Sequence, residues 1–338
     1  YLPEFQLFDP VATHEMTPRD LVTHRSGLPR HDKIWYGSTF TRREMFDRLR
    51  YLEPSKDFRA GYQYQNLMFM TAGYLAGRIE GQKWETLVRQ KILDPLGMKK
   101  TNFSVADSIK SPDHSMPYYR LKASQKVIQV PFRGMDEIGP AGSINSNVEE
   151  MIPYLKFQMD KGKHGNVQLL SEHNAVQMQT PQMVMPGGIG YDEMGHRSYG
   201  MGFVITTYRG HKVVAHGGGI DGFISRLSFL PRKRIGVIVL SNLSGGNPVP
   251  IIVTRNVFDR LLGLDPVDWV KRIKEEERKG KASEEEATRK GYSLKKKDTS
   301  PSHDPAEYTG TYENTGYGDI KIEADGSKLK MVFRGLTY

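Results

Sequence analysis

Hydrophobic positions change their period near the middle of the chain. In the first half they recur at helical spacing, separated by long polar stretches. Asn66 to Ile79 is apolar nearly all round, the pattern of a buried helix, and Gly81 ends it. Trp84, Leu87, Val88 and Ile92 continue at helical spacing until Pro95 and Gly97 break the pattern. Near the start, Thr17-Pro18-Arg19-Asp20 opens a short helix. Thr17 can cap it, Pro18 suits the first turn and Asp20 faces the positive end of the dipole. Ser26-Gly27-Leu28-Pro29 stops it.

The second half reads as strands. Gly202–Tyr208 and Lys212–His216 flank a turn at Arg209-Gly210, and Phe223–Phe229 and Ile235–Leu240 flank Pro231–Arg234. Ile251–Leu262 follows as a helix that could cover the sheet. From Trp269, blocks of Lys and Arg alternate with Glu275–Glu277 and Glu284–Glu286, the pattern of a solvated helix or linker. Tyr308–Tyr312, Asp319–Ile322 and Leu329–Phe333 then read as short strands. So few strands cannot bury a face, so this module is expected to be cut short at Tyr338. The predicted organisation is a first domain over 1–268, with a mainly helical lobe to about 195 and a sheet with its covering helix from 196. A charged linker over 269–303 and a partial β module over 304–338 follow.

Composition narrows the chemistry. The chain has 338 residues, 38% hydrophobic and 10% aromatic, and no cysteine, which removes thiolate nucleophiles, thiolate metal sites and disulfides. Its ten histidines show no close ligand spacing, so no metal or cofactor is expected. The net charge of +9 comes without any nucleic-acid recognition motif, so no nucleic-acid partner is expected. No stretch approaches the ~18 apolar residues of a membrane span. The opening Tyr1-Leu2-Pro3-Glu4 has no leader character and reads as a start in mid-protein.

Two motifs carry candidate chemistry. Tyr64-Gln65-Asn66 stands just before the buried helix. The phenol can relay a proton if a nearby cation lowers its pKa, and the amide can hold a carbonyl. The plainer reading is a packed aromatic followed by a helix cap, a role Asn66 fits. His216-Gly217-Gly218-Gly219 ends a predicted strand. Glycines there open the backbone to a ligand laid alongside, and Gly219 N–H can donate to an oxyanion. The plainer reading is a glycine-rich turn with an incidental histidine.

Together, in this order, the two motifs resemble those of serine β-lactamases and penicillin-binding proteins of the class C type and their esterase and D-peptidase relatives. Met16–Pro29, Leu93–Met98, Gly139–Ser143 and Val237–Asn242 resemble further phrases of that family, so the resemblance covers about residues 1–265. It implies an α+β, two-lobed β-lactamase/transpeptidase-like fold, with the start of a lipocalin-like β module after it. It also implies attack of a serine on an ester, amide or lactam carbonyl through an acyl-enzyme. Tyr64, His216 and Gly219 would be catalytic, and Asn66, Gly217, Gly218 and Ser143 would bind a small-molecule or peptide substrate. The His-x-Gly motif and the appended module favour an esterase or D-amino-acid peptidase over a β-lactamase. A secreted or periplasmic location follows from the resemblance alone.

One element is out of place. The family's Ser-x-x-Lys precedes the Thr23–Pro29 phrase by several tens of residues, a position expected before Tyr1. Ser293 to Lys296 and Ser327 to Lys330 match the string but in the wrong order and context, and read as chance. Ser26 reads as a turn residue and His24 as a packing or hydrogen-bonding residue. The chain alone is therefore expected to be inactive. The alternative is a non-catalytic β-lactamase-like binding or structural protein.

Overall fold

The structure, a computed structural model, describes residues 1–188, 190–293, 299–326, 328–334 and 336–337. It divides into two compact units, Tyr1–Pro250 and Ile251–Tyr338.

In the first unit the short helix Pro18–Leu21 starts with a capping box. Thr17 accepts from the Asp20 backbone and the Asp20 carboxylate accepts from Thr17 N–H. The buried helix runs from Asn66 to Glu80 and ends at Gly81, whose φ of 65° is the left-handed value a helix stop needs. It closes on the turn Gly139–Ala141 at Gly73, where a Cβ would strike the Pro140 ring. The turn is thereby held against the helix face. The helical pattern after Trp84 is realised as one α segment, Trp84–Val88, followed by a π turn over Arg89–Leu93.

The central sheet has six antiparallel strands in chain order: Met183–Val184, Ser198–Tyr199, Val204–Tyr208, His211–Ile220, Phe223–Leu230 and Ile235–Ser241. Arg209 and Gly210 both take positive φ, 47° and 82°, as a tight two-residue hairpin requires. One face is covered by the helix Val148–Met159, which packs on the two last strands. Gly236 lets it approach, because a Cβ there would meet the Leu155 side chain. Leu155, Phe203, Val214, Leu227 and Phe229 form the core between them. Each such side chain contributes roughly 1.5–3 kcal/mol by leaving water. This mixture of helices and antiparallel sheet is the α+β arrangement that the resemblance implies.

The strand carrying the histidine motif differs from its expectation. It does not end at His216 but continues through the three glycines to Ile220, because Phe223–Leu230 pairs with it along that length.

In the second unit, the charged stretch is a helix, Trp269–Ser293. Trp269 anchors its start: the indole N–H donates to Asp259 at 3.0 Å, and Arg255 and Arg272 stack on the ring. Gly310–Tyr312, Ile320–Asp325, Lys328–Phe333 and Leu336–Thr337 form a four-stranded antiparallel meander, which shows no barrel closure among the described residues. Lys296 and Ser327, one member of each misplaced Ser-x-x-Lys string, lie outside the described residues.

Candidate active site

The open strand edge is the first component of the site. Val204–Tyr208 pairs with His211–Ala215 and stops there. Beyond Ala215 the edge facing that strand has no strand partner among the described residues. Bonded and non-bonded pairs alternate along an antiparallel ladder. Tyr208 and His211 flank one two-residue hairpin, Ile220 and Phe223 the other, and both set the same alternation. It turns the N–H and C=O of Gly217 and Gly219 toward the open edge, and those of His216 and Gly218 toward the paired strand. A Cβ at Gly219 would meet nothing within 4 Å, so the backbone there is open to an approaching group.

Next to this edge lies an aromatic cluster. The Tyr64 and His216 rings are nearly parallel with centroids 6.4 Å apart. His216 Nε2 lies 3.1 Å from the hydroxyl of Tyr199, a residue the sequence did not single out. Burial lowers the His216 pKa, with a hydrogen bond from the ring to the Gly217 backbone pulling the other way. Burial also raises the Tyr199 phenol well above its ordinary range. Both are neutral near pH 7 and share this hydrogen bond, whose donor is set by the imidazole tautomer.

His24 lies behind Tyr64, fully buried among Tyr62, Tyr64, Phe69 and Tyr199. Its Nδ1 accepts from Gln65 N–H, and its Nε2 has no hydrogen-bond partner among the described residues. Burial first, then the neighbouring His216 and Arg30, holds its pKa down at about 3.

The motif Tyr64-Gln65-Asn66 is arranged differently from the plainer reading. Gln65, not Asn66, caps the helix: its side chain accepts from Leu67 N–H at 2.9 Å and donates to the carbonyl of Pro29. Asn66 is the first helical residue, half-buried, and its amide has no hydrogen-bond partner among the described residues. The Tyr64 phenol is raised by burial and pulled down by the Arg30 guanidinium. Arg30 stands over the ring with Cζ 4.9 Å from the centroid, and the sequence did not single it out either.

Ser143 is buried, and its hydroxyl has no hydrogen-bond partner among the described residues. It is 4% exposed and follows the Gly139–Ala141 turn. A Cβ on Gly139 would lie 3.0 Å from its hydroxyl and about as close to the Arg42–Glu85 ion pair. The structure thus brings Tyr64, His216 and the Gly217–Gly219 edge together. Among the described residues no three His, Asp or Glu converge as metal ligands, and no helix is long and apolar enough to cross a membrane.

Comparison with known proteins agrees with this architecture. An unguisins hydrolase of Aspergillus campestris is 26% identical over 329 residues, covering 94% of this chain and 60% of the relative. A second, from Aspergillus violaceofuscus, is 24% identical over 97% of the chain and 62% of the relative. The chain therefore spans about 60% of the length of these relatives. Among solved structures, the octameric penicillin-binding protein homologue from Pyrococcus abyssi superposes with a TM-score of 0.62 at 22% identity, over 99% of this chain and 72% of the other. A D-stereospecific amidohydrolase from a Streptomyces species gives 0.60 at 21%, over 72% and 73%. A domain of unknown function, DUF3471, matches residues 294–337. The family description Beta-lactamase matches residues 1–262, and the chain belongs to that family of hydrolases.

Proposed function

We propose that this chain is the substrate-binding and proton-relay part of a serine hydrolase acting on ester, amide or lactam carbonyls, with its nucleophile supplied from outside residues 1–338. The observation that carries this reading is the open edge at Gly217 and Gly219, set beside the Tyr64–His216 pair. A substrate laid along that edge bonds to backbone groups that no strand uses. A serine Oγ adds to the carbonyl carbon as its proton passes to the lysine–Tyr64 pair. The oxyanion accepts from Gly219 N–H and from the serine's own N–H. The proton then goes to the departing alcohol or amine, and water releases the acyl group by the same route. Asn66 has an uncommitted amide with which to orient substrate and lysine. His216, neutral and held by Tyr199, assists binding. Arg30 alone does not offset the burial of Tyr64, so a lysine ammonium is the cation this relay needs. An esterase or D-amino-acid peptidase is favoured. The D-stereospecific amidohydrolase likeness fits substrates of that kind, and the unguisins hydrolases fit a hydrolytic reaction.

Intact-mass labelling with a fluorophosphonate tests the reading, on residues 1–338 and on a protein extended at its N-terminus to its natural start. Labelling of the extended protein alone, at the serine of a Ser-x-x-Lys, supports it. Labelling of neither would leave a non-catalytic binding protein. Labelling of residues 1–338 would mean that the nucleophile lies within them.

A further inference from the structure

We infer that Arg30 is a specificity-determining residue, forming a subsite for a substrate carboxylate beside Tyr64. This deepens the hydrolase reading and rests on it for the word substrate. The guanidinium is placed over the Tyr64 ring, with Cζ 4.9 Å from its centroid. Its position is set from one side only: Nε donates to Asp32 Oδ2, and Asp32 Oδ1 accepts from the Trp35 indole N–H at 3.0 Å. The two Nη groups have no hydrogen-bond partner among the described residues, and the side chain is 56% exposed. The segment beneath it is held as well. His31 takes a left-handed φ of 46°, and its Nε2 lies 3.1 Å from the Glu53 carbonyl oxygen.

A guanidinium tethered through Nε offers its remaining end as two parallel donors, the geometry that takes both oxygens of one carboxylate. Tethering also removes much of the rotamer entropy that a free arginine loses on binding. Asp32 balances part of the charge in the empty site, yet it shares its two oxygens between Arg30 and Trp35. Cationic character therefore remains at the Nη end. Tyr64 adjoins both Arg30 and His216, so the fork and the histidine that precedes the glycine edge share one neighbouring side chain. The recognised chemistry is a planar monoanion. A neutral amide in the same place accepts fewer charge-assisted bonds.

Binding tests this without the nucleophile. N-acetyl-D-alanine and its primary amide are titrated by calorimetry into residues 1–338, into Arg30→Gln and into Arg30→Lys. Exposure of the side chain makes both variants foldable, which thermal unfolding checks. The expected result is that the natural chain binds the acid at least about ten-fold more tightly than the amide. Arg30→Gln abolishes the preference and leaves amide affinity unchanged, and Arg30→Lys retains part of it. Equal binding of the two ligands, an equal loss of both in Arg30→Gln, or no binding of the acid overturns the proposal. Fluorophosphonate labelling decides the hydrolase reading separately, so an acid-selective protein that is never labelled refutes only that reading.

Discussion

The backbone N–H of Gln65 donates to Nδ1 of His24 at 3.0 Å, joining the Thr23–Pro29 phrase to the start of the Asn66–Glu80 helix. A histidine that accepts at Nδ1 must be neutral with its proton on Nε2. Burial keeps it so down to about pH 3, whereas in the unfolded chain it protonates near its ordinary 6.5. Between those values the unfolded chain holds more protons, so stability is present above about 6.5 and is lost as pH falls toward 3. Asn is the informative replacement, since it tolerates the left-handed φ of 57° at this position and keeps an acceptor. His24→Asn should be less stable than the natural chain at pH 7. The gap should narrow by up to about 3 kcal/mol by pH 4. Urea unfolding at both pH values measures it; a gap independent of pH would mean that His24 is not the titrating group. His216 shifts in the same direction but is present in both proteins and cancels.

This link also marks where the sequence could be read and where it could not. The Thr17 cap, the Gly81 stop and the turns at Arg209-Gly210 and Pro231–Arg234 depend on neighbours within a few residues, and were legible. Tyr64 and His216 were legible because their motifs carry local composition. Gln65 was missed as the cap because Asn ranks above Gln at that position. What decides the matter is non-local: His24 and the Pro29 carbonyl hold Gln65 in an extended conformation just before the helix. Tyr199 and Arg30 were missed for the same reason. Each becomes part of the site only through a contact with a distant residue or ring, and neither sits in a distinctive local pattern. The turn before Ser143 packs closely, because Pro140 approaches Gly73, and that contact too is non-local.

Asp20 is fully buried and accepts from Arg25, Arg59 and Thr17. Burial by itself would raise its pKa, but the hydrogen bonds from Arg59, Thr17 and Arg25 outweigh it and hold the carboxylate well below its ordinary value. Removing its charge leaves two arginines without their shared anion and breaks the capping box. Asp20→Asn should cost about 3–5 kcal/mol, read as a fall in the urea midpoint at pH 7. A loss below ~1 kcal/mol would show that the arginines are satisfied by water instead.

Gln65 and Asn66 should separate stability from chemistry. Gln65→Ala removes a cap and the bond to Pro29, and should lower stability by about 1–2 kcal/mol. Asn66→Ala removes an amide that bonds to nothing described, so stability should stay within ~0.5 kcal/mol. The acylation rate of the protein carrying its nucleophile should nevertheless fall by about 100-fold or more, if Asn66 orients substrate. Thermal unfolding and the fluorophosphonate labelling rate give the two readouts. An Asn66→Ala protein that labels at the natural rate would remove Asn66 from the site.

The glycine edge offers the sharpest separation, because neighbouring glycines differ in their surroundings. A Cβ at Gly218 would lie 2.7 Å from the Ser225 hydroxyl, whereas one at Gly219 would meet nothing within 4 Å. Gly218→Ala must therefore turn the Ser225 hydroxyl aside, which a rotatable side chain does for about 1 kcal/mol or less. Gly219→Val places a good strand former in open space and should be neutral or slightly stabilising, within ~0.5 kcal/mol. Its side chain stands off one face of the sheet beside the in-plane N–H, so a tetrahedral acyl group lying over that face is pushed away from the donor. The labelling rate should fall at least about 100-fold, the scale of losing an oxyanion donor. If Gly219→Val folds and is labelled as fast as the natural sequence, the oxyanion lies elsewhere. A slow Gly219→Val beside a Gly218→Ala whose rate loss tracks its lost stability would place the donor at Gly219.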